Sequence, residues 1–131
     1  MAAPIGHPLT KLKEVTLKQI AKYPLILPPL KMKYTLAGKL EEMLLDLGIK
    51  YSAILKSSNL DLRVKYVEMG LGITTVTLTN SLEILKNRKL ELVSLRKYVA
   101  PDYYVVIYRK DKILEPHIDF LIQQLEQDFS C

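Results

Sequence analysis

Seven side chains in three short stretches are the best placed for chemistry: Lys31, Lys33 and Thr35 in "LKMKYT", Ser57 and Ser58 in "KSSNL", and Thr74 and Thr75 in "GITTV". The chemistry they suggest is the binding of an anion. Lysines supply charge, hydroxyls donate hydrogen bonds, and Thr35 and Ser58 each precede a stretch of helical periodicity, whose first turn presents free N–H groups and the positive end of the helix dipole. In an α/β sheet the loops after the strands gather along one edge, so the two helix starts would open toward one crevice. Either loop alone is accounted for by ordinary capping and solvated lysines. Two together outline a site. The threonines past Gly72 add hydroxyls on both sides of a strand; β-branching alone would explain one or two of them there.

Catalysis finds no comparable set. His7 and His117 lie far apart in the chain, each beside a proline, and neither has cysteine or acidic neighbours at metal-ligand spacing. A turn residue and an exposed first-turn residue account for them. Nothing near Cys131 in sequence would lower its thiol pKa and make it a nucleophile. "GLG" at 70–72 has glycines at a dinucleotide-loop spacing but follows a helix and precedes a strand, the reverse of the required context, so its glycines read as a helix stop and a close approach. The expectation is no enzyme, no metal and no cofactor.

The 131 residues, 49% hydrophobic and 25% charged, suffice for one core in one domain, and no repeat or low-complexity tract interrupts them. The single cysteine excludes an intrachain disulfide and fits a reducing, cytoplasmic setting. No leader pattern opens the chain and no apolar run reaches the roughly 18 residues of a membrane helix, so neither export nor membrane insertion is expected. The net charge of +5 comes from dispersed lysines, and the eight tyrosines are not interleaved with basic residues and glycine, which disfavours direct nucleic-acid binding.

The elements that must position these residues follow from periodicity. Thr16 caps a short helix over 17–22 that Pro24 ends, and residues 24–27 form a buried strand. A helix after Thr35 carries Leu36, Leu40, Met43, Leu44 and Leu47 on one face and stops at Gly48. A strand over 49–56 leads to a helix with a Ser58/Asp61 capping box, an apolar stripe of Leu60, Val64, Val67 and Leu71, and an Asp61–Lys65 pair. A strand over 73–78 follows. Then come one or two helical turns over 80–85, a strand over 89–95, a strand over 102–109, and a helix from Pro116 with a stripe of Ile118, Leu121, Ile122, Leu125 and Phe129 that must dock on something. The alternation argues for α/β layers on a mixed, largely parallel sheet.

Five phrases in order resemble the effector-binding domain of LysR-type transcriptional regulators: "GHPL" (6–9), "TLKQIAKYPLI" (16–26), "LEEMLLDLGI" (40–49), "VKYVEMGLGI" (64–73) and "YYVVIYRKDKILEPHIDFLIQQL" (103–125). "KYPL" with "VKYVEMGLGI" is similar to the branch that controls sulfur assimilation and cysteine biosynthesis. The resemblance implies a type II periplasmic-binding-protein-like fold, in which two α/β lobes joined by crossover strands hold a small metabolite. It places "APIGHPL" at the end of the first crossover and "YYVVIYRK" in the second, so that residues 1–131 form a single effector-binding subdomain of three layers: second lobe, return crossover and C-terminal helix. The first lobe and the DNA-binding winged helix-turn-helix would lie outside it.

The resemblance also implies effector contacts from the loop after "YPLI", the helix start after "ILKSS" and the strand after "GLG", which here are Lys31, Lys33 and Thr35, then Ser57 and Ser58, then Thr74 and Thr75. "PPLKMKYT" is bulkier and more basic than the glycine, serine and threonine many relatives carry, which points to a more acidic or different ligand, or an altered site. The leading expectation is a cytoplasmic regulatory lobe that senses a small anionic metabolite, self-associates, and reaches DNA only through the winged helix-turn-helix. A solute-binding module of a transport or sensing system, and a structural dimerisation module, are the alternatives.

Overall fold

A computed structural model describes residues 1–29, 36–77, 85–99, 107, 109, 111 and 115–129. The described elements run β1 (Ala2–Pro4), a 3-10 turn (Pro8–Lys11), α1 (Leu17–Ile20), β2 (Leu25–Leu27), α2 (Leu36–Asp46), β3 (Ala53–Lys56), α3 (Leu60–Glu68), β4 (Ile73–Thr74), β5 (Leu90–Leu92) and α4 (Pro116–Phe129). Local chemistry sets their ends. Thr16 caps α1 in a reciprocal box: its hydroxyl accepts from the Gln19 N–H while Gln19 Oε1 accepts from the Thr16 N–H. After α3, Gly70 takes φ 76°, a left-handed geometry that costs glycine nothing, and the Leu71 N–H closes on Tyr66 O at 3.1 Å.

The five strands form one sheet in the order β3-β2-β4-β1-β5. β2 pairs in parallel with both β3 and β4, whereas β1 runs antiparallel to its neighbours β4 and β5. Four strands therefore point one way and β1 alone opposes them. This is the expected mixed, mostly parallel sheet.

Strand alternation splits the core into two faces. Ala3, Leu25, Leu27 and Ile73 meet Leu17 and Ile20 of α1 and Leu40 and Leu44 of α2, while Ala2 and Val76 meet Val64 of α3 on the other side. The result is three layers, α1 and α2, sheet, and α3. Gly72 lets the chain enter the sheet: a Cβ there would lie 2.5 Å from Pro24 O, an approach only glycine permits.

Several expectations are corrected. Asn59, not Ser58, caps α3: its side chain accepts from the Leu62 N–H at 3.0 Å, and asparagine ranks with serine as a cap. Asp61 pairs with Arg88 rather than Lys65. Leu47 and Leu71 fall past the last turns of their helices and are exposed, because each follows a helix that has already ended. β3 is confined to 53–56, β4 to two residues, and β5 to 90–92. The expected turns over 80–84, the loop at 30–35 and most of the strand over 102–109 lie outside the described residues.

Candidate functional site

The parallel strands β2, β3 and β4 end along one edge. There the Ser57 N–H donates to Leu27 O at 2.9 Å, which holds the end of β3 to the end of β2. The Thr74 hydroxyl donates to Ile26 O at 2.6 Å and so ties β4 to β2 from the other side. Ser57, Thr74 and Thr75 therefore sit where the three strands stop and their following segments begin. Ser58 is exposed and Ser57 is half-buried, its Oγ accepting from the Asn59 N–H at 3.2 Å. Thr74 and Thr75 are both buried. Lys31, Lys33 and Thr35 lie outside the described residues, so the second helix start of the expected site stands apart from this geometry.

A residue the sequence reading passed over dominates the edge. Arg63, on the inner face of α3, is only 8% exposed. Its Nη1 donates to Thr74 Oγ1 at 3.1 Å and to the Thr75 carbonyl at 3.0 Å. Its Nε is buried without a partner, and so is the Thr75 hydroxyl. Burial draws the guanidinium below its usual pKa, although arginine retains its proton throughout the physiological range.

The carboxylates on the same helix are engaged elsewhere. Asp61 pairs with Arg88, and Glu68 accepts from Arg88 Nη1 at 3.0 Å and from the Lys89 N–H at 3.1 Å. Those bonds, the Lys89 N–H first, hold the Glu68 carboxyl below its ordinary pKa. On the opposite face of the sheet the buried Glu41 accepts from Lys56 Nζ at 2.8 Å and from the Tyr51 hydroxyl. Among the described residues, then, a buried guanidinium has no acidic partner. A buried charge is normally paired, so this one is an unusual feature of the fold. The legible signal was a charged residue at 63 beside the apolar stripe at 60, 64 and 67.

The remaining candidates are ordinary. His7 Nδ1 accepts from the Leu9 N–H at 3.2 Å and its ring meets Tyr23 edge-on, which makes it a capping turn residue; His117 is exposed. Among the described residues no group of three or more His, Cys, Asp or Glu could hold a metal ion, and no helix is long and apolar enough to cross a membrane.

Three α/β layers with polar groups along the carboxyl edge of a mostly parallel sheet are an arrangement in which small-molecule sites commonly form. The family model described as LysR substrate binding domain matches residues 1–130. The chain belongs to that family, whose fold is of the type II periplasmic-binding-protein-like class and whose members are the effector-sensing domains of transcription regulators. No curated protein matches the chain.

Proposed function

We propose that this domain senses a small anionic metabolite for a LysR-type regulator, with the ligand meeting the carboxyl edge of β2, β3 and β4. The observation that carries the reading is the buried Arg63, which has no acidic partner among the described residues and is set against Thr74 and Thr75. A site that holds uncompensated positive charge out of water favours an anion over a neutral or cationic ligand. Thr75, Ser57, Ser58, Lys31, Lys33 and Thr35 complete the proposed contact set.

In the same reading the chain supplies the second lobe, the return crossover and the C-terminal helix. A first lobe closes over the ligand, and a winged helix-turn-helix in the complete regulator carries the response to DNA in the cytoplasm. The sulfur-assimilation branch is the proposed placement, on the strength of "KYPL" and "VKYVEMGLGI". Ligand acts on transcription only through its different affinity for the regulator's states. Self-association through α4 belongs to the proposal too, since Leu121 on its apolar stripe is 53% exposed.

Calorimetric titration of the complete two-lobed regulator with small anionic metabolites tests this function. A saturable heat that drops in Thr35→Ala and Ser58→Ala variants supports it; equal binding by both variants defeats the contact set, and no saturable heat with any anion defeats the anionic reading.

A further inference from the structure

The turn at the exit of β1 is capped by a residue that can cap it in only one protonation state. The His7 N–H donates to Pro4 O at 3.1 Å, with Gly6 at φ 74°, and the chain then enters the 3-10 turn Pro8–Lys11. His7 Nδ1 accepts from the Leu9 N–H at 3.2 Å, and its carbonyl accepts from the Thr10 N–H and hydroxyl at 3.0 and 2.8 Å. The usual caps, serine, threonine, asparagine and aspartate, accept through oxygens that are available at any pH near neutral. A histidine nitrogen accepts only while it lacks a proton, so this bond requires a neutral imidazole with its proton on Nε2. The turn matters to the core, because Leu9 is 2% exposed and shares one apolar cluster with Leu17 and Ile20 of α1. β1 opposes the other strands, so its exit lies at their amino edge, away from the carboxyl edge of β2, β3 and β4.

The surroundings offer a second proton on the ring no compensation. Tyr23 meets the imidazole edge-on at 4.4 Å and is uncharged near neutral pH. Lys11 on the same turn and Lys22 beside Tyr23 are exposed and positive, and Glu14 is paired with Lys97 Nζ at 2.7 Å. None of the ion pairs among the described residues includes His7. We propose that His7 is a pH-sensitive latch: neutral, it caps the Pro8–Lys11 turn and holds Leu9 in the core; protonated, it sets one N–H against another and the turn opens. Burial holds the imidazole below its ordinary pKa of 6.5, so the opened chain takes up the proton more readily than the closed one. The stability that the latch contributes is complete above pH 6.5 and is lost as pH falls through the lower folded value. The latch does not depend on what the carboxyl edge binds.

The test follows the 131-residue chain by nitrogen-15 NMR from about pH 8 to about pH 5, the range over which histidine titrates. The ring nitrogens report the state of His7, and hydrogen exchange of the Leu9 amide reports the cap. The expected result is a neutral ring protonated at Nε2, whose further protonation lowers the protection of the Leu9 amide about fivefold, the scale of a lost cap. His7→Asn supplies an acceptor that does not titrate and should keep Leu9 protected across the whole range, whereas His7→Ala should leave it poorly protected at both ends. His117→Gln should preserve the response, which separates His7 from the chain's other histidine. A neutral ring protonated at Nδ1, a Leu9 protection that stays level while His7 titrates, or a pH response that persists in His7→Asn or vanishes in His117→Gln would overturn the latch. The His7→Asn comparison decides the matter if His7→Ala does not fold.

Discussion

Arg63 and Thr74 are joined across the α3–sheet interface by a 3.1 Å hydrogen bond, and the same threonine hydroxyl donates at 2.6 Å to Ile26 O. One side chain thus links a helix to two adjacent strands. Thr74→Val removes both bonds while keeping the shape, and should destabilise the chain by about 1–3 kcal/mol because the groups left behind are buried. Denaturant unfolding of the two chains measures it; a change near zero would mean that Arg63 is held by something other than Thr74.

Thr75→Val should behave in the opposite way. Its hydroxyl is buried without a partner, so replacing it with an isosteric methyl removes a desolvation penalty rather than a bond. Unfolding should show a neutral or stabilising effect of up to about 1 kcal/mol. Clear destabilisation would show that this hydroxyl already has a partner in the free chain, which would count against its place in the proposed effector contact set.

These adjacent threonines show how far the sequence could be read. Their pattern in "GITTV" placed hydroxyls on both faces of a strand, and the faces were correct: Ile73 joins the α1 and α2 side and Val76 the α3 side. What the pattern could not say was which hydroxyl the fold would use, because that depends on Arg63, eleven residues away and on another element. Arg63 itself was hidden by the habit of reading charged residues as the solvated face of a helix. The Ser58 box failed for a local reason, since Asn59 competes for the same capping role one residue later. Layering, sheet direction and the Thr16 start of α1 were legible because each rests on short-range periodicity or capping, whereas α1 ends at Ile20 rather than at 22; the pairing of β1 between β4 and β5 is long-range and left no local mark.

Gly72 is the tightest point of the sheet. Gly72→Ala would set a Cβ 2.5 Å from Pro24 O and 3.2 Å from Pro24 C, both backbone atoms that cannot swing aside. The expected loss is about 1–3 kcal/mol, the usual range for overpacking a core. A midpoint of thermal unfolding equal to that of the parent would show that β2 and β4 separate at little cost.

Alkaline pH should report on Tyr51. Burial, reinforced by its hydrogen bond to the Glu41 carboxylate and that group's charge, pushes the hydroxyl from 10.0 up to about 12. The folded state therefore holds this proton more tightly than the unfolded chain does. Its contribution to stability is complete below pH 10 and is lost as pH rises toward 12. The difference in unfolding free energy between the parent and Tyr51→Phe should shrink across that window; a difference that stays constant would mean the hydroxyl titrates normally.

Self-association is expected through α4, whose Leu121 and Phe120 are 53% and 63% exposed. Sedimentation of the chain should show a concentration-dependent mass that Leu121→Glu reverts to monomer, since a charge on an apolar stripe opposes its burial. A parent chain that is monomeric at every concentration would remove α4 from the proposed assembly.

The decisive experiment is the structure of this domain, within a complete LysR-type regulator, bound to a small-molecule effector. The expected result is an anionic group of the effector against Arg63 at the carboxyl edge of β2, β3 and β4, with Thr74 still bridging to Ile26. A ligand bound elsewhere on the domain, or one that meets this edge with only neutral groups and leaves Arg63 unpaired, would contradict it.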